Sequence, residues 1–325
     1  MSKIPFVVRI DNAPHAVAEQ VSPTIQRVIA NNPSKFTYRG TGTYIIGDTN
    51  VVVIDPGPLL DSHRDALDEI LSNRTVQAIV VTHCHADHSP LAEWLKTKTG
   101  AQTYAIGPHA DITGLDIEDF EDDPDEDSQD DAEKTTVSDE PRETIDVAFQ
   151  PDVIVKDGET FFDSHGITLT AVWTPGHTSN HLCVAYAQEH ALFTGDHIMG
   201  WSTTVVSPPD GDMRSYMASL DKVINRKDAI LWPTHGAPVT EPIEFLQAYR
   251  QHRLEREQQI IDALQIGPRN IQELVKEMYV DVAKALHKPA RRSVWSHLIK
   301  LHQDGVVVVA NGSDPKLKSL YKLKT

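Results

Sequence analysis

Short runs of apolar residues rich in Val, Ile and Leu recur along roughly the first 240 residues, separated by turn residues or amphipathic stretches. Short apolar runs favour buried strands, whereas apolar positions at helical spacing favour helices. The sequence GTYIIGDTNVVVIDPG predicts two strands joined at residues 47–50, whose Gly, Asp and Asn suit a hairpin turn. Many strands with helices between them predict an α+β fold of two packed sheets covered by helices. Further strands are predicted at 79–81, 101–106, 167–174, 181–187, 191–196 and 229–236, and helices at 59–71, 90–98, 212–225 and 241–264; ordered structure is predicted to resume at 153–161.

The last part of the chain has a different pattern. Two amphipathic helices are predicted at residues 270–279 and 290–305, and two strands around a Gly-Ser-Asp-Pro tip follow at 306–323. Helix, helix and hairpin in this order predict a small winged-helix-like module. The chain is therefore divided into a large N-terminal domain, residues 1–249, and a winged-helix-like C-terminal domain, residues 250–325.

Charge divides the chain at the same place. The 325 residues have a formal net charge of −17, but residues 1–249 carry 16 Lys and Arg against 39 Asp and Glu, whereas residues 250–325 carry 14 against 8. The most acidic segment, at about 111–146, has 17 acidic residues and two basic ones. Such a composition cannot bury enough apolar surface to order itself, so it predicts a solvated, mobile insertion. A lid or a cation-binding segment is the alternative.

The sequence also predicts where in the cell the protein is located. Apolar stretches long enough to cross a membrane do not occur, and the first residues lack the pattern of a signal peptide. The two cysteines, Cys84 and Cys183, are too few for a disulfide framework and are expected to be buried thiols. We therefore expect a cytoplasmic protein that does not act at a membrane.

The run AIVVTHCHADHSP, residues 78–90, concentrates histidines at the end of a predicted strand. In extended chain, residues two apart share a side, so His83 and His85 point the same way and Asp87 follows them. Cys84 points to the opposite side. His88 joins the set only if the chain turns, and Ser89 as an N-cap with Pro90 at the first helical position supplies that turn.

Three further side chains, those of His177, Asp196 and His235, lie at the ends of predicted strands. Together with the histidine run they complete a candidate site for two metal ions. A carboxylate can bind one cation with each oxygen, which suits Asp196 as a bridge. The alternative is a set of structural histidines without a metal. His181, four residues after His177, is expected to lie in the second shell or in the packing, with substrate contact as the other interpretation. The predicted metal ligands are His83, His85, Asp87, His88, His177, Asp196 and His235.

The ordered motifs VVVIDPG, THCHADH, TPGHT, TGDH and PTHG resemble those of the metallo-β-lactamase superfamily over roughly residues 35–240. The resemblance implies an αββα sandwich with the site at one edge, and it makes Asp55 a second-shell residue. It also implies that His83, His85 and His177 hold one metal, that Asp87, His88 and His235 hold the other, and that Asp196 bridges them. The stretches GPRNIQEL and HLIKLHQDGVV resemble the lactamase-β-like branch that includes an endoribonuclease and fungal polyketide thioesterases.

Departures from other branches of the superfamily narrow the function. True β-lactamases of this fold usually have Cys where Asp196 stands, so antibiotic hydrolysis is not expected. Flavo-diiron proteins have Glu in the first motif and an added flavodoxin, and neither occurs here. Sulfur dioxygenases share the H-x-H-x-D-H pattern, so an iron-dependent sulfur dioxygenase stays an alternative.

The predicted function is hydrolysis of an ester or thioester of a small acyl substrate by a hydroxide that bridges two divalent metal ions, with Asp87 and Asp196 as the catalytic carboxylates. Zinc suits the ligands best, and manganese or iron would also bind. The first alternative is an endoribonuclease that cleaves single-stranded RNA, which the acidic N-terminal domain disfavours. A nucleic-acid-binding regulator is a further alternative. The C-terminal module is expected to pack over the site or to form a homodimer, and the loop at residues 200–213 either lines the site or lies on the surface.

Overall fold

The computed structural model describes residues 4–6, 13–109, 144–280 and 287–324. Within these residues, seven strands form a first sheet in the order β1 to β7, antiparallel up to β4 and parallel from β4 to β7. The predicted hairpin at residues 47–50 joins β3 to β4. The strands are β1 (Ala18–Gln20), β2 (Ile25–Ile29), β3 (Gly42–Gly47), β4 (Asn50–Ile54), β5 (Thr75–Val80), β6 (Gln102–Ala105) and β7 (Val153–Ile154).

A second sheet packs against the first. Its described strands lie in the order β12-β11-β10-β9-β8, with one parallel pair, β11 and β12. Apolar side chains from both sheets meet in one buried cluster, in which Tyr44 of β3 lies 5.0 Å from Phe193 of β11 between ring centroids. The strands are β8 (Thr160–Ser164), β9 (Ile167–Trp173), β10 (Leu182–Tyr186), β11 (Ala191–Gly195) and β12 (Ile230–Pro233).

Helices cover the outer face of each sheet. The first sheet packs on α1 (Asp61–Leu71) and α2 (Leu91–Thr99), and the second packs on α3 (Met213–Arg226) and α4 (Pro242–Ile266). The layer order is therefore helix, sheet, sheet, helix, as expected from the sequence. Sandwiches of this kind bring the ends of strands from both sheets to a common edge, which is where the histidine motifs lie.

The C-terminal module has its own core. It contains α5 (Ile271–Met278), α6 (His287–Gln303), and the antiparallel pair β13 (Val307–Val309) and β14 (Tyr321–Leu323). The predicted boundary at residue 249 falls inside α4. Residues Phe245 to Tyr249 of this helix pack with the sandwich, whereas Ile260 to Leu264 pack with α5 and α6. One long helix therefore belongs to both cores.

Two sequence expectations need correction. The predicted insertion ends earlier than residue 146, because the N–H of Ala86 donates to the carbonyl of Thr144 at 2.7 Å and the N–H of Asp146 donates to Cys84 at 2.8 Å. Residues 144–146 are thus held against the histidine run, and the rest of the predicted insertion, up to residue 143, lies outside the described residues. Ser89 does not cap α2; its hydroxyl donates to the carboxylate of Asp146 at 2.7 Å instead.

Within the part of the chain that the structure describes, none of the helices has the length and apolar character needed to cross a membrane.

Candidate metal centre

The histidine run lies where β5 ends and α2 begins, as the sequence predicts. Main-chain hydrogen bonds close it into a turn, since the N–H of His88 donates to His85 at 3.0 Å and the N–H of Gly57 donates to His88 at 2.9 Å. The turn returns His88 to the side of His83, with their ring centroids 4.0 Å apart. Cys84 points away into the core between the first sheet and its helices.

Three imidazoles form the first cluster, which comprises His83, His85 and His177. Nδ1 of His85 lies 2.9 Å from Nε2 of His83 and 3.2 Å from Nε2 of His177. His177 comes from the turn after β9, and all three side chains are buried. The sequence predicted this grouping, and the structure brings the three ring nitrogens together.

The second cluster comprises Asp87, His88 and His235. Oδ2 of Asp87 lies 3.2 Å from Nε2 of His235 and 3.4 Å from Nε2 of His88. His235 follows the short parallel strand β12, so this cluster joins residues from both sheets. Asp87 is the more exposed carboxylate of the centre, with 24% of its side chain accessible.

Asp196 lies between the two clusters, immediately after β11. Its Oδ1 is 3.4 Å from Nε2 of His235 and 3.6 Å from Nε2 of His88, in the second cluster. Its Oδ2 is 3.9 Å from Nε2 of His177, in the first cluster. Each oxygen therefore faces a different cluster, which is the placement that a bridging carboxylate requires.

Hydrogen bonds behind the rings fix the orientation of two candidate ligands. Nδ1 of His177 lies 2.6 Å from the carbonyl of Val205, and Nδ1 of His235 lies 3.2 Å from the carbonyl of Gly40. A carbonyl only accepts, so each Nδ1 carries a proton, and each Nε2 is the ring nitrogen that a metal ion would use. Both Nε2 atoms point toward the centre.

Asp55 helps to orient two other rings, those of His88 and His83. Its Oδ2 accepts from Nδ1 of His88 at 2.9 Å and from the hydroxyl of Thr82 at 2.8 Å, while that hydroxyl lies 3.1 Å from Nδ1 of His83. The hydroxyl of Thr234 donates to the same oxygen at 3.2 Å. Asp55 is buried at the end of β4, behind the candidate ligands rather than among them. The prediction of a second-shell role agrees with these contacts.

His181 lies behind the backbone of Asp196. Its Nε2 accepts the N–H groups of Asp196 and His197 at 3.1 and 3.2 Å, and its Nδ1 lies 2.9 Å from the hydroxyl of Thr174. These bonds require a neutral ring protonated at Nδ1. Burial lowers the pKa of His181 well below its usual value, in keeping with that form. The sequence left open whether His181 contacts substrate, and the structure places it behind the centre.

Electrostatics differ between the two clusters. Burial lowers the pKa of His83 well below its usual value, and burial and the neighbouring His177 ring lower the pKa of His85 to about 3, so these two rings are neutral. At the second cluster, burial opposes the charged form of His235, but the carboxylates of Asp196 and Asp87 outweigh it and raise the pKa to about 10. Two carboxylates thus create a negative site that attracts positive charge, and a metal ion would take the place of protons there.

The residues present fit divalent metal ions. Among the described residues, Nε2 of His88 and Oδ1 of Asp196 are buried and have no hydrogen-bond partner. A buried polar atom without a partner costs about 1–3 kcal/mol, a cost that coordination would remove. Imidazole nitrogens and carboxylate oxygens are also the ligands that zinc and related metals prefer.

A pocket of about 220 Å³ opens above the second cluster. Part of its wall comes from the segment before β3, which the sequence did not identify as functional. The described loop at residues 200–213 does not line this pocket; it contacts the centre from behind through the Val205 carbonyl. The lining residues are Asn32, Ser34, Phe36, Thr37, His85, Ala86, Asp87, Thr144, Asp196 and His235.

Several supporting residues were missed by sequence reasoning. The hydroxyl of Thr41 donates to Oδ2 of Asp87 at 2.8 Å, and Asn32 bonds Thr41 through both its amide nitrogen and its amide oxygen. Neither residue lies in a histidine motif, and 46 positions separate Thr41 from Asp87. Thr82 and Thr234 were also missed, although each directly precedes a predicted ligand, and that position could have pointed to them.

Comparison with known families agrees with the family resemblance of the sequence motifs. A family model for the metallo-beta-lactamase superfamily matches residues 38–235, and a model for a beta-lactamase associated winged helix domain matches residues 271–314. The predicted C-terminal winged helix is therefore confirmed.

Individual relatives and solved structures agree with these two family models. The chain is similar to "Beta-lactamase-like protein 2 homolog" of Caenorhabditis elegans, 30% identical over 89% of this chain and 88% of the relative. It is also similar to "Atrochrysone carboxyl ACP thioesterase" of Aspergillus chevalieri, 28% identical over 88% of this chain and 83% of the relative. The fold is similar to that of a beta-lactamase domain protein from Burkholderia ambifaria, with a TM-score of 0.72, 17% identity and coverage of 98% and 97%. The chain therefore belongs to the metallo-beta-lactamase superfamily and is a metal-dependent hydrolase.

Proposed function

We propose that this protein is a binuclear metal-dependent hydrolase that cleaves an ester or thioester of a small acyl substrate. One observation carries the proposal: seven donor side chains converge beside a pocket that four of them line, and the oxygens of Asp196 face both clusters of the other six. We propose that the first cluster and Asp196 hold one ion and that the second cluster and Asp196 hold the other.

Two divalent cations, for which zinc is the proposed identity, would activate a water molecule and polarise the carbonyl under attack. The protein supplies orientation and charge. The carboxylate of Asp55 and the carbonyls of Gly40 and Val205 hold Nδ1 of the rings, so that Nε2 would be available to a cation. Asp87 lines the pocket and is partly exposed, and we propose that its carboxylate holds the proton of the attacking water. The chain itself provides the electrostatic frame, and no covalent intermediate with the protein is needed.

The lining of the pocket supports an acyl substrate. Apart from the candidate ligands, it consists of small polar side chains, Ala86 and Phe36, and within the described residues it includes neither Lys nor Arg. A phosphodiester would be expected to meet cationic side chains, whereas a neutral acyl group needs only hydrogen bonds and an apolar contact. The relatives named as thioesterases for an acyl group on a carrier protein favour the same class.

The proposal is tested by metal analysis and by turnover. We expect the purified protein to carry close to two transition-metal ions per chain and to hydrolyse acyl thioesters. Dialysis against a strong chelator should abolish the activity, and adding back zinc should restore it, because the donor set has no other catalytic group to offer. Elemental analysis without bound metal, together with turnover that a chelator leaves unchanged, would refute the binuclear proposal. Cytoplasmic location and a homodimer through the C-terminal module stay predictions.

A further inference from the structure

The helix α4, which packs in the core of the sandwich and in the core of the C-terminal module, has charged residues in its middle section. Its buried residues run as one stripe from Phe245 through Tyr249 to Ile260 and Leu264, and Arg253 lies near the centre of this stripe with only 3% of its surface accessible. Arg253 is therefore placed between the core of the sandwich and the core of the winged helix. A buried guanidinium is costly unless it makes specific hydrogen bonds.

Arg253 binds the loop that follows the candidate bridging carboxylate. Its Nη2 donates to the carbonyl of Thr204 at 2.5 Å. One helical turn earlier, the hydroxyl of Tyr249 donates to the carbonyl of Ser202 at 2.5 Å and accepts the N–H of Thr204 at 3.1 Å. Two residues of α4 thus hold both sides of the peptide backbone at Thr204.

The same loop position reaches the candidate ligands on its other side. The hydroxyl of Thr204 lies 2.8 Å from the carbonyl oxygens of Asp196 and of His197. The next residue, Val205, supplies the carbonyl that accepts from Nδ1 of His177. Two adjacent residues therefore connect α4 to the backbone of Asp196 and to the ring of His177.

The winged helix fixes α4 from the opposite side. Glu257, one turn after Arg253, accepts from Nζ of Lys300 at 3.0 Å, and its other oxygen lies 3.4 Å from Nδ1 of His297; both partners are on α6. Because these side chains are largely buried, the position of α4 depends on the C-terminal module. A continuous set of contacts runs from α6 to the metal centre.

We propose that Arg253 is a positioning residue of the metal centre: by holding the Thr204 carbonyl, it keeps Asp196 and His177 in the orientation that binds metal. This inference rests on the proposed metal site, and it gives the winged helix a structural role in the hydrolase. Substitutions of groups that orient metal ligands typically lower metal affinity by about 10–100-fold.

The full-length variant Arg253→Met tests this, because Met keeps the length of the side chain but removes the guanidinium. Zinc affinity is measured by competition with a chromogenic chelator, and KM and kcat are measured with an acyl thioester. We expect zinc affinity to fall by about tenfold or more. We also expect kcat to fall while KM changes little, since the pocket lining is untouched.

Arg256→Met is the matched control. Arg256 lies on the same helix and is also buried, but its guanidinium stacks over the ring of Tyr279, 4.1 Å from the centroid, and does not reach the loop. This variant should lose stability without losing zinc affinity. An equal loss of affinity in both variants would overturn the inference, because it would indicate a general effect of weakening α4.

A second pair of variants tests the connection at the loop. Thr204→Val removes the hydroxyl and should lower zinc affinity, whereas Thr204→Ser keeps the hydroxyl and should retain it. Combining Thr204→Val with Arg253→Met should cost less than the two single effects together, because both substitutions break the same connection, which runs from α4 through Thr204 to Asp196. Unchanged zinc affinity in folded Arg253→Met would refute the inference alone; wild-type protein that binds no zinc would refute the proposed metal site.

Discussion

At the scale of single residues, the candidate ligands are oriented partly by groups inside the motifs, such as Asp55, and partly by groups that the motifs do not contain. The sequence predicted the seven side chains that the structure brings together, because strand ends and short spacing restrict where a side chain can point. It could not identify Thr41, Thr204 or Arg253, because each reaches the centre through a contact that only the folded chain creates. Asp55 came from family resemblance, and geometry then supplied its four hydrogen bonds.

The prediction that belongs to this scale concerns Asp196→Asn. Asn is nearly the same size but is neutral and offers one oxygen, so it cannot replace a carboxylate whose two oxygens face different clusters. We expect thioester hydrolysis to fall by about 100-fold or more, equivalent to about 3 kcal/mol in the barrier, with the number of bound zinc ions reduced and the circular dichroism spectrum unchanged.

A matched control for this variant is Asp228→Asn. The side chains of Asp196 and Asp228 have the same accessibility, 8%, but Asp228 pairs with Arg226 at the end of α3. Its loss should leave turnover and zinc content near those of the wild type. Near-normal turnover in a folded Asp196→Asn protein would show that another residue bridges the two ions.

At the scale of elements, the sequence predicted most strands and helices to within a few residues, because apolar periodicity and turn residues agree locally. It did not predict that α4 would serve two cores, since the charged residues in its middle obscure a continuous buried stripe. Nor did it predict the wall of the pocket before β3. That segment lacks periodicity, and its position follows from contacts with residues far along the chain.

The prediction at this scale concerns the turn that carries His177. Gly176 has φ +139°, and a Cβ there would lie 2.4–2.5 Å from backbone atoms of Tyr216 in α3. Because backbone atoms cannot move aside alone, Gly176→Ala would separate α3 from the turn. We expect a loss of about 3 kcal/mol or more in the free energy of unfolding, together with weaker zinc binding. Urea denaturation and chelator competition measure the two effects.

Gly166→Ala controls for backbone conformation. Gly166 also has a positive φ, +77°, but a Cβ there would meet no atom within 4 Å. This substitution should cost only about 1–2 kcal/mol, the strain of a left-handed backbone for a residue with a side chain. If the two variants lost equal stability, the close approach of Gly176 to α3 would not be important for the fold.

At the scale of the whole molecule, opposite charges occupy the two parts of the chain. Residues 1–249 have many more acidic than basic side chains, and the reverse holds after residue 249. One face of α6 is buried in the core of the basic module through Val294, Leu298 and Leu301, and Lys300 of the same helix bonds Glu257 and Asp304. These contacts favour a structural role for the module over nucleic-acid recognition.

Charge also predicts which candidate substrate is cleaved faster. A test of this prediction decides between the candidate substrates. A metal centre of this kind can hydrolyse either a thioester or a phosphodiester, so the surrounding surface determines which substrate approaches. An acidic domain repels RNA, and at physiological ionic strength screening over about 8 Å leaves nearby acidic groups repulsive. We therefore expect acyl thioesters and esters to be cleaved faster than single-stranded RNA. Side-by-side assays of wild type and Asp196→Asn in one buffer measure this, because only activity that the variant loses belongs to the centre. Efficient RNA cleavage that Asp196→Asn abolishes, without thioesterase or esterase activity in the same preparation, would reverse the ranking and establish an endoribonuclease.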